Sequence, residues 1–129
     1  MTKDKDEYIN NWLFRANEDI AVIESLVNAG VEYYTSSICF HAQQASEKFL
    51  KAYLAYHDVD FPRTHDLDFL LIECQKIDKE AFQIDFKSLT DFGVSVRYPD
   101  DFYIPDEKEA LEYRDIAISV KEIVERLIK

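Results

Sequence analysis

The sequence predicts an all-α fold, an up-and-down four-helix bundle with one additional short helix, and three observations carry that expectation. Apolar residues recur at alternating spacings of four and three along most of the chain. Only two Gly and three Pro interrupt 129 residues, which favours long regular elements over many short strands joined by turns. With 47% hydrophobic and 14% aromatic residues, the chain can build a core without disulfides or metal. A single domain spanning residues 1–129 is expected.

The first helix carries Ile9, Leu13, Ala16, Ile20, Ile23 and Val27 as one stripe, widened by Trp12 and Leu26, and Asn28-Ala29-Gly30 stops it. Thr35, Ser36 and Ser37 lie near the start of a second helix with Ile38, Ala42, Ala45, Phe49, Ala52 and Tyr56 on its apolar side. A connector from His57 to Arg63 follows. Thr64 then offers an N-cap for a shorter helix bearing Leu67, Leu70, Leu71, Cys74 and Ile77, with Asp66 and Asp68 suited to its dipole. A fourth segment, roughly 79–97, places Phe82, Phe86, Leu89, Phe92 and Val96 at helical spacing, with Gly93 as a weak point or a close-packing position. Residues 98–105 are bracketed by Pro99 and Pro105 and read as a loop. Asp106 and Glu109 form a capping-box pattern ahead of a last helix with Ala110, Tyr113, Ala117, Val120, Val124 and Leu127.

A net charge of -11, from 15 Lys+Arg against 26 Asp+Glu, opposes nonspecific attraction to a phosphate backbone and leaves room only for a local basic groove. It also suits docking on a basic partner. No run of about 18 apolar residues and no apolar leader is present, so no membrane partner and a cytoplasmic location are expected. Cys39 and Cys74 lack a CxxC spacing and flanking cations and read as buried thiols. The positions three before His41, His57 and His65 hold Ile38, Leu54 and Pro62, so the Glu-x-x-His spacing of a carboxylate-bridged metal site is missing. Neither a metal nor a cofactor is expected, and Gly-rich phosphate loops and G-x-S-x-G turns are also missing.

Two places remain for chemistry. The polar side of the second helix holds Gln43, Gln44, Glu47, Lys48 and Lys51, with His41 on the same side and Glu47 and Lys51 an i,i+4 pair of about 0.2–0.5 kcal/mol. By pattern alone this is an ordinary solvated face; in the functional alternative His41 transfers protons near neutral pH. The second place is Arg97-Tyr98-Pro99-Asp100. There Arg97 would bind phosphate and Tyr98 or Tyr103 would stack on a base, against the plainer reading of a helix end capped by a cation.

Several blocks also occur in the order of a known family. Trp12, Ala16 and Asp19-Ile20 resemble the first helix of HEPN domains, and His41 to Ala52 is similar to their Gln-Gln-Ala-x-Glu-Lys-x-Leu-Lys-Ala signature. Thr64-His65-Asp66-Leu67 and Arg97-Tyr98-Pro99 match two further blocks, so the likeness covers nearly the whole chain. The resemblance implies a helical bundle that forms a homodimer and is often assembled with a minimal nucleotidyltransferase, sometimes as a toxin with its antitoxin. Many members are ribonucleases with an Arg followed, four to six residues on, by a His near a dimer cleft. Here those positions hold Phe102, Tyr103 and Ile104, so the His is missing.

The expected role is an accessory or toxin-type subunit beside a nucleotidyltransferase, without an intact ribonuclease motif. Two alternatives stay open. One is a ribonuclease with Arg97 and His41 as catalytic residues. The other is a module in which Lys48, Lys51, Gln44, Arg97, Tyr98 and Tyr103 hold a nucleotide or RNA.

Overall fold

The computed structural model describes residues 3–93 and 103–129. Four α-helices carry the fold: α1 (Lys3–Gly30), α2 (Thr35–Tyr56), α3 (Leu67–Gln75) and α4 (Glu107–Leu127). Two 3₁₀ turns, Val31–Tyr33 and Leu89–Phe92, complete the regular structure among the described residues, which contain no strand. The predicted all-α class holds, with four α-helices, the short third one included, among the described residues.

α1 ends where the sequence stops it. Gly30 has φ of +138°, a conformation in which an L side chain is strained, and an added Cβ would stand 2.9 Å from the Tyr33 ring. The chain then reverses into α2, which packs mainly against α1 and α4, and also against α3 and the Leu89–Phe92 turn. Fifteen of its 22 residues are buried, whereas a helix with one buried stripe would hide about half. α2 is thus the central helix of the fold. Ile38, Ala42, Ala45, Phe49 and Ala52 are fully buried, as their spacing predicts.

The expected solvated face on α2 is corrected. Gln43, Glu47 and Lys51 are buried, because the connector leaving α2 runs back along that side: Phe61 stands beside Trp12 and Lys51, and His65 reaches Glu47. α3 therefore begins near Gln43 and runs in the direction of α2, with Cys74 Sγ against the Leu50 carbonyl.

Asp66, two residues after the expected Thr64, is the N-cap of α3. Its carboxylate accepts from the Asp68 and Phe69 amides, while Thr64 Oγ1 accepts from the Asp66 amide. The segment from Lys79 also differs from expectation. Up to Gly93 it makes turns and one 3₁₀ turn rather than an α-helix, yet still buries Phe82, Phe86, Leu89 and Phe92. Isolated Phe and Leu anchors at this spacing serve a turn-rich strap laid over a core as well as they serve a helix. Asp106 caps α4 by accepting from the Glu109 amide at 2.7 Å.

Phe49 is fully buried near the middle of α2 and joins the single cluster of buried apolar residues drawn from all four helices. Phe49→Ala should lower stability by about 3–5 kcal/mol, read as a lower urea midpoint at unchanged slope.

Candidate functional site

The central position of α2 decides how its polar side chains are held. Asp19, on α1, is 7% exposed and lies between the buried Ala16 and Ile23. Its two oxygens divide between two residues of α2: Oδ1 meets His41 Nδ1 at 2.8 Å and Oδ2 accepts from Lys48 Nζ at 2.6 Å. Burial by itself would raise the Asp19 pKa, but the hydrogen bonds from His41 and Lys48, with the charge of both, outweigh it and hold the carboxyl below its ordinary value. Asp19 is thus an anion at neutral pH, and an anion accepts only. His41 Nδ1 must carry the proton, which leaves Nε2 for exchange with whatever reaches the ring. The side chains of His41 and Lys48 remain 27% and 17% exposed.

Glu47, one residue before Lys48 on the neighbouring strip of α2, organises a second group. Its carboxylate, 5% exposed, accepts from Lys51 Nζ at 3.0 Å and meets His65 Nδ1 at 2.7 Å. Gln43 Nε2 stands 3.4 Å from the same carboxylate, donates to the His65 carbonyl at 2.8 Å, and Gln43 Oε1 accepts from Gln44 Nε2 at 2.7 Å. The Lys51 ammonium also lies over the rings of Trp12 and Phe61 at 5.4 and 5.8 Å. Lys51, predicted among the ligand-binding cations, has its charge taken up inside the protein. Removing either partner of this buried pair should cost about 3–5 kcal/mol, because the other charge would be left buried and uncompensated.

Gly93 closes this group from the other side. A Cβ there would meet Gln43 Cδ and Nε2 at 3.1 Å, so the strap passes the Gln43 amide at a close-packing position. Arg97 follows four residues later in sequence; Arg97 and Tyr98 lie outside the described residues. Tyr103 is placed elsewhere, at the start of α4, beside Phe92 and in a cavity of about 270 Å³ with Ser88, Asp91 and Glu109. Its hydroxyl donates to Glu109 at 2.7 Å, and that hydrogen bond pushes the Tyr103 pKa up to about 12. No described hydrogen bond or ring contact joins Tyr103 to His41, Gln44 or Lys48. Cys39 and Cys74 are buried free thiols, both pushed up to about 12 by burial.

A family model described as "HEPN domain" matches residues 9–127, nearly the whole chain. The chain belongs to the HEPN family. Membership implies a nucleotide-binding or RNase-like module, in a family whose members often dimerise. No curated protein and no solved structure matches the chain. Among the described residues of this HEPN domain, no helix is long and apolar enough to cross a membrane.

Sequence reading placed His41, Gln44 and Lys48 on one side of α2, and the structure puts all three at its solvent boundary. It gave no separate role to Asp19, Glu47, Gln43 or His65. Asp19 did carry a signal: an acid three residues after Ala16 and four before Ile23 falls within the apolar stripe, where a charge needs a partner. The folded chain holds Asp19 below its ordinary pKa, so its stabilising contribution is complete above the unfolded value and fades as pH falls through the folded one. Asp19→Asn should cost about 2–4 kcal/mol at pH 7, somewhat under a fully buried pair because Lys48 and His41 keep contact with water. The gap between variant and parent should close as pH drops below about 4. Urea denaturation at pH 7, 5 and 3 checks this, and a constant gap would mean the charge of Asp19 plays no part.

Proposed function

We propose that this HEPN protein, working as one domain, is a nucleotide- or RNA-binding subunit that dimerises and acts beside a minimal nucleotidyltransferase, as an accessory or toxin-type partner. One observation carries the reading: a buried carboxylate fixes an imidazole and an ammonium side by side at the solvent boundary of α2. An ammonium has three donors, and among the described residues Asp19 takes one of Lys48's, leaving two for phosphate oxygens. Gln44, one turn before Lys48, adds an amide to the same face. Arg97 is the second phosphate contact in this reading, with Tyr98 for stacking; Lys51 acts by holding Glu47 in place. The net charge of -11 restricts binding of polyanions to such a local patch and suits the docking of a basic partner.

A second reading, a ribonuclease toxin using Arg97 with His41 as base, is favoured by the Asp19 contact that fixes the His41 tautomer.

Calorimetry of the full chain with ATP or a short RNA should detect a complex at millimolar ligand or tighter. Lys48→Met should weaken it at least about tenfold, equivalent to about 1.4 kcal/mol. No heat at millimolar ligand would remove the binding role. Co-expression with the neighbouring nucleotidyltransferase should give co-purification of the two chains, and recovery of the HEPN chain alone would count against the pairing.

A further inference from the structure

Where α1 begins and α2 ends, the bundle carries a second concave site, away from the Asp19 contact. A cavity of about 490 Å³, within the range of roughly 300–1,000 Å³ typical of ligand pockets, is walled by Lys5, Tyr8, Asp58, Val59, Asp60 and Phe61. Two of its walls are aromatic. Tyr8 is 49% exposed and makes a T-shaped contact with Trp12 at a centroid distance of 6.2 Å, and Trp12 meets Phe61 in the same way at 6.1 Å. These rings already hold one cation, since the buried Lys51 ammonium lies 5.4 Å from the centre of Trp12 and 5.8 Å from that of Phe61.

The other walls make the cavity negative. α2 closes with the Val59 amide donating to the Leu54 carbonyl at 2.9 Å, which puts Asp58 in the left-handed region at φ +59°. Glycine is the usual residue at that position of a helix end. Here an aspartate stands in its place, and its carboxylate meets Lys5 Nζ at 2.8 Å, a pair neutral as a whole. Asp60, two residues on, is exposed and meets no described cation. Asp4, one turn before Tyr8 on α1, adds a further negative charge and more than offsets the roughly half positive charge of the helix N-terminus. Rings beside an unmatched carboxylate suit an organic cation. A guanidinium suits them best, because it is planar and weakly hydrated, stacks on aromatic faces, and pairs with a carboxylate through its fork, whereas an ammonium keeps its water.

We propose that this cavity is the docking site for an arginine side chain of a basic partner polypeptide, with the guanidinium against Tyr8 and Phe61 and Asp60 as its counterion. For its occupant the inference rests on the reading above of a partner that docks on this acidic chain, while the cavity itself is tested without that partner. Lys5 is a positioning residue: by holding Asp58 it ties the end of α2 to α1 and keeps the walls apart at a fixed width.

Trp12 is the single Trp of the chain, so its fluorescence reports on these rings. The full-length protein is titrated with a labelled peptide, acetyl-Gly-Arg-Gly-Arg-Gly-amide, and with its lysine and citrulline counterparts; peptide anisotropy is read beside Trp12 emission. The arginine peptide should bind saturably and move the emission, and the lysine peptide should bind at least about fivefold more weakly. The citrulline peptide, which keeps the shape and loses the charge, should not bind. Tyr8→Ala and Asp60→Asn should each weaken the arginine peptide about five- to tenfold. Both side chains are exposed, so thermal midpoints should stay near that of the parent. Equal binding of the arginine and lysine peptides, or parental binding by Tyr8→Ala, would mark general attraction to a chain of net charge -11 and overturn the inference. An arginine peptide that leaves Trp12 emission unmoved overturns it as well. If the nucleotidyltransferase co-purifies undiminished with a chain carrying both substitutions, the inference fails and the partner reading stands. Peptide binding weakened as expected in both variants, with no nucleotidyltransferase recovered by the parent, supports the site and defeats the pairing.

Discussion

A helix enclosed on nearly every side cannot carry a charged residue without a partner at hand, and α2 carries several. α1, α4, α3 and the connector all close on it, so Gln43, Glu47 and Lys51 sit in the interior with Phe49 and Leu50. Desolvating these groups costs several kcal/mol each unless charge and hydrogen bonds are met in place. That requirement explains the arrangement around α2. Asp19 sits in the apolar stripe of α1 opposite Lys48 and His41, the connector brings Phe61 and His65 back over Lys51 and Glu47, and Gly93 leaves space beside Gln43.

The same constraint produces the functional geometry. Two carboxylates with restricted exposure each hold an imidazole by Nδ1 and a lysine by Nζ, so four long side chains lose their freedom in advance of any ligand. Preorganisation of this kind removes an entropic cost that a loosely held surface patch would incur on binding. Yet the pairs differ in use. Lys48 and His41 stay at the solvent boundary, whereas Lys51 is roofed by Trp12 and Phe61. Two lysines three residues apart on one helix thus have separate settings, one at the solvent boundary and one enclosed in the scaffold.

Tyr103 lies in another setting, at the α4 N-terminus with its hydroxyl on Glu109. In a complete capping box the Glu109 side chain would reach back to the backbone; here it accepts from Tyr103 while Asp106 alone caps the Glu109 amide. This ties Tyr103 to the helix that follows it.

The sequence alone determined the helical class, the four α-helices and their apolar stripes, because periodicity at 3.6 residues is a local property readable wherever a helix buries one side. The motif blocks determined the family. Strap and helix were indistinguishable over residues 79–93, since anchors every three or four residues satisfy both. The partners of the polar side chains were decided only by the tertiary structure. Asp19 and His41 are 22 residues apart, and Glu47 and His65 are 18 apart; nothing in their local spacing pairs them. The return path of the connector turned an ordinary charged face into a buried network, and that path is set by how Phe61 and Leu67 pack, a long-range choice that a helical period does not encode.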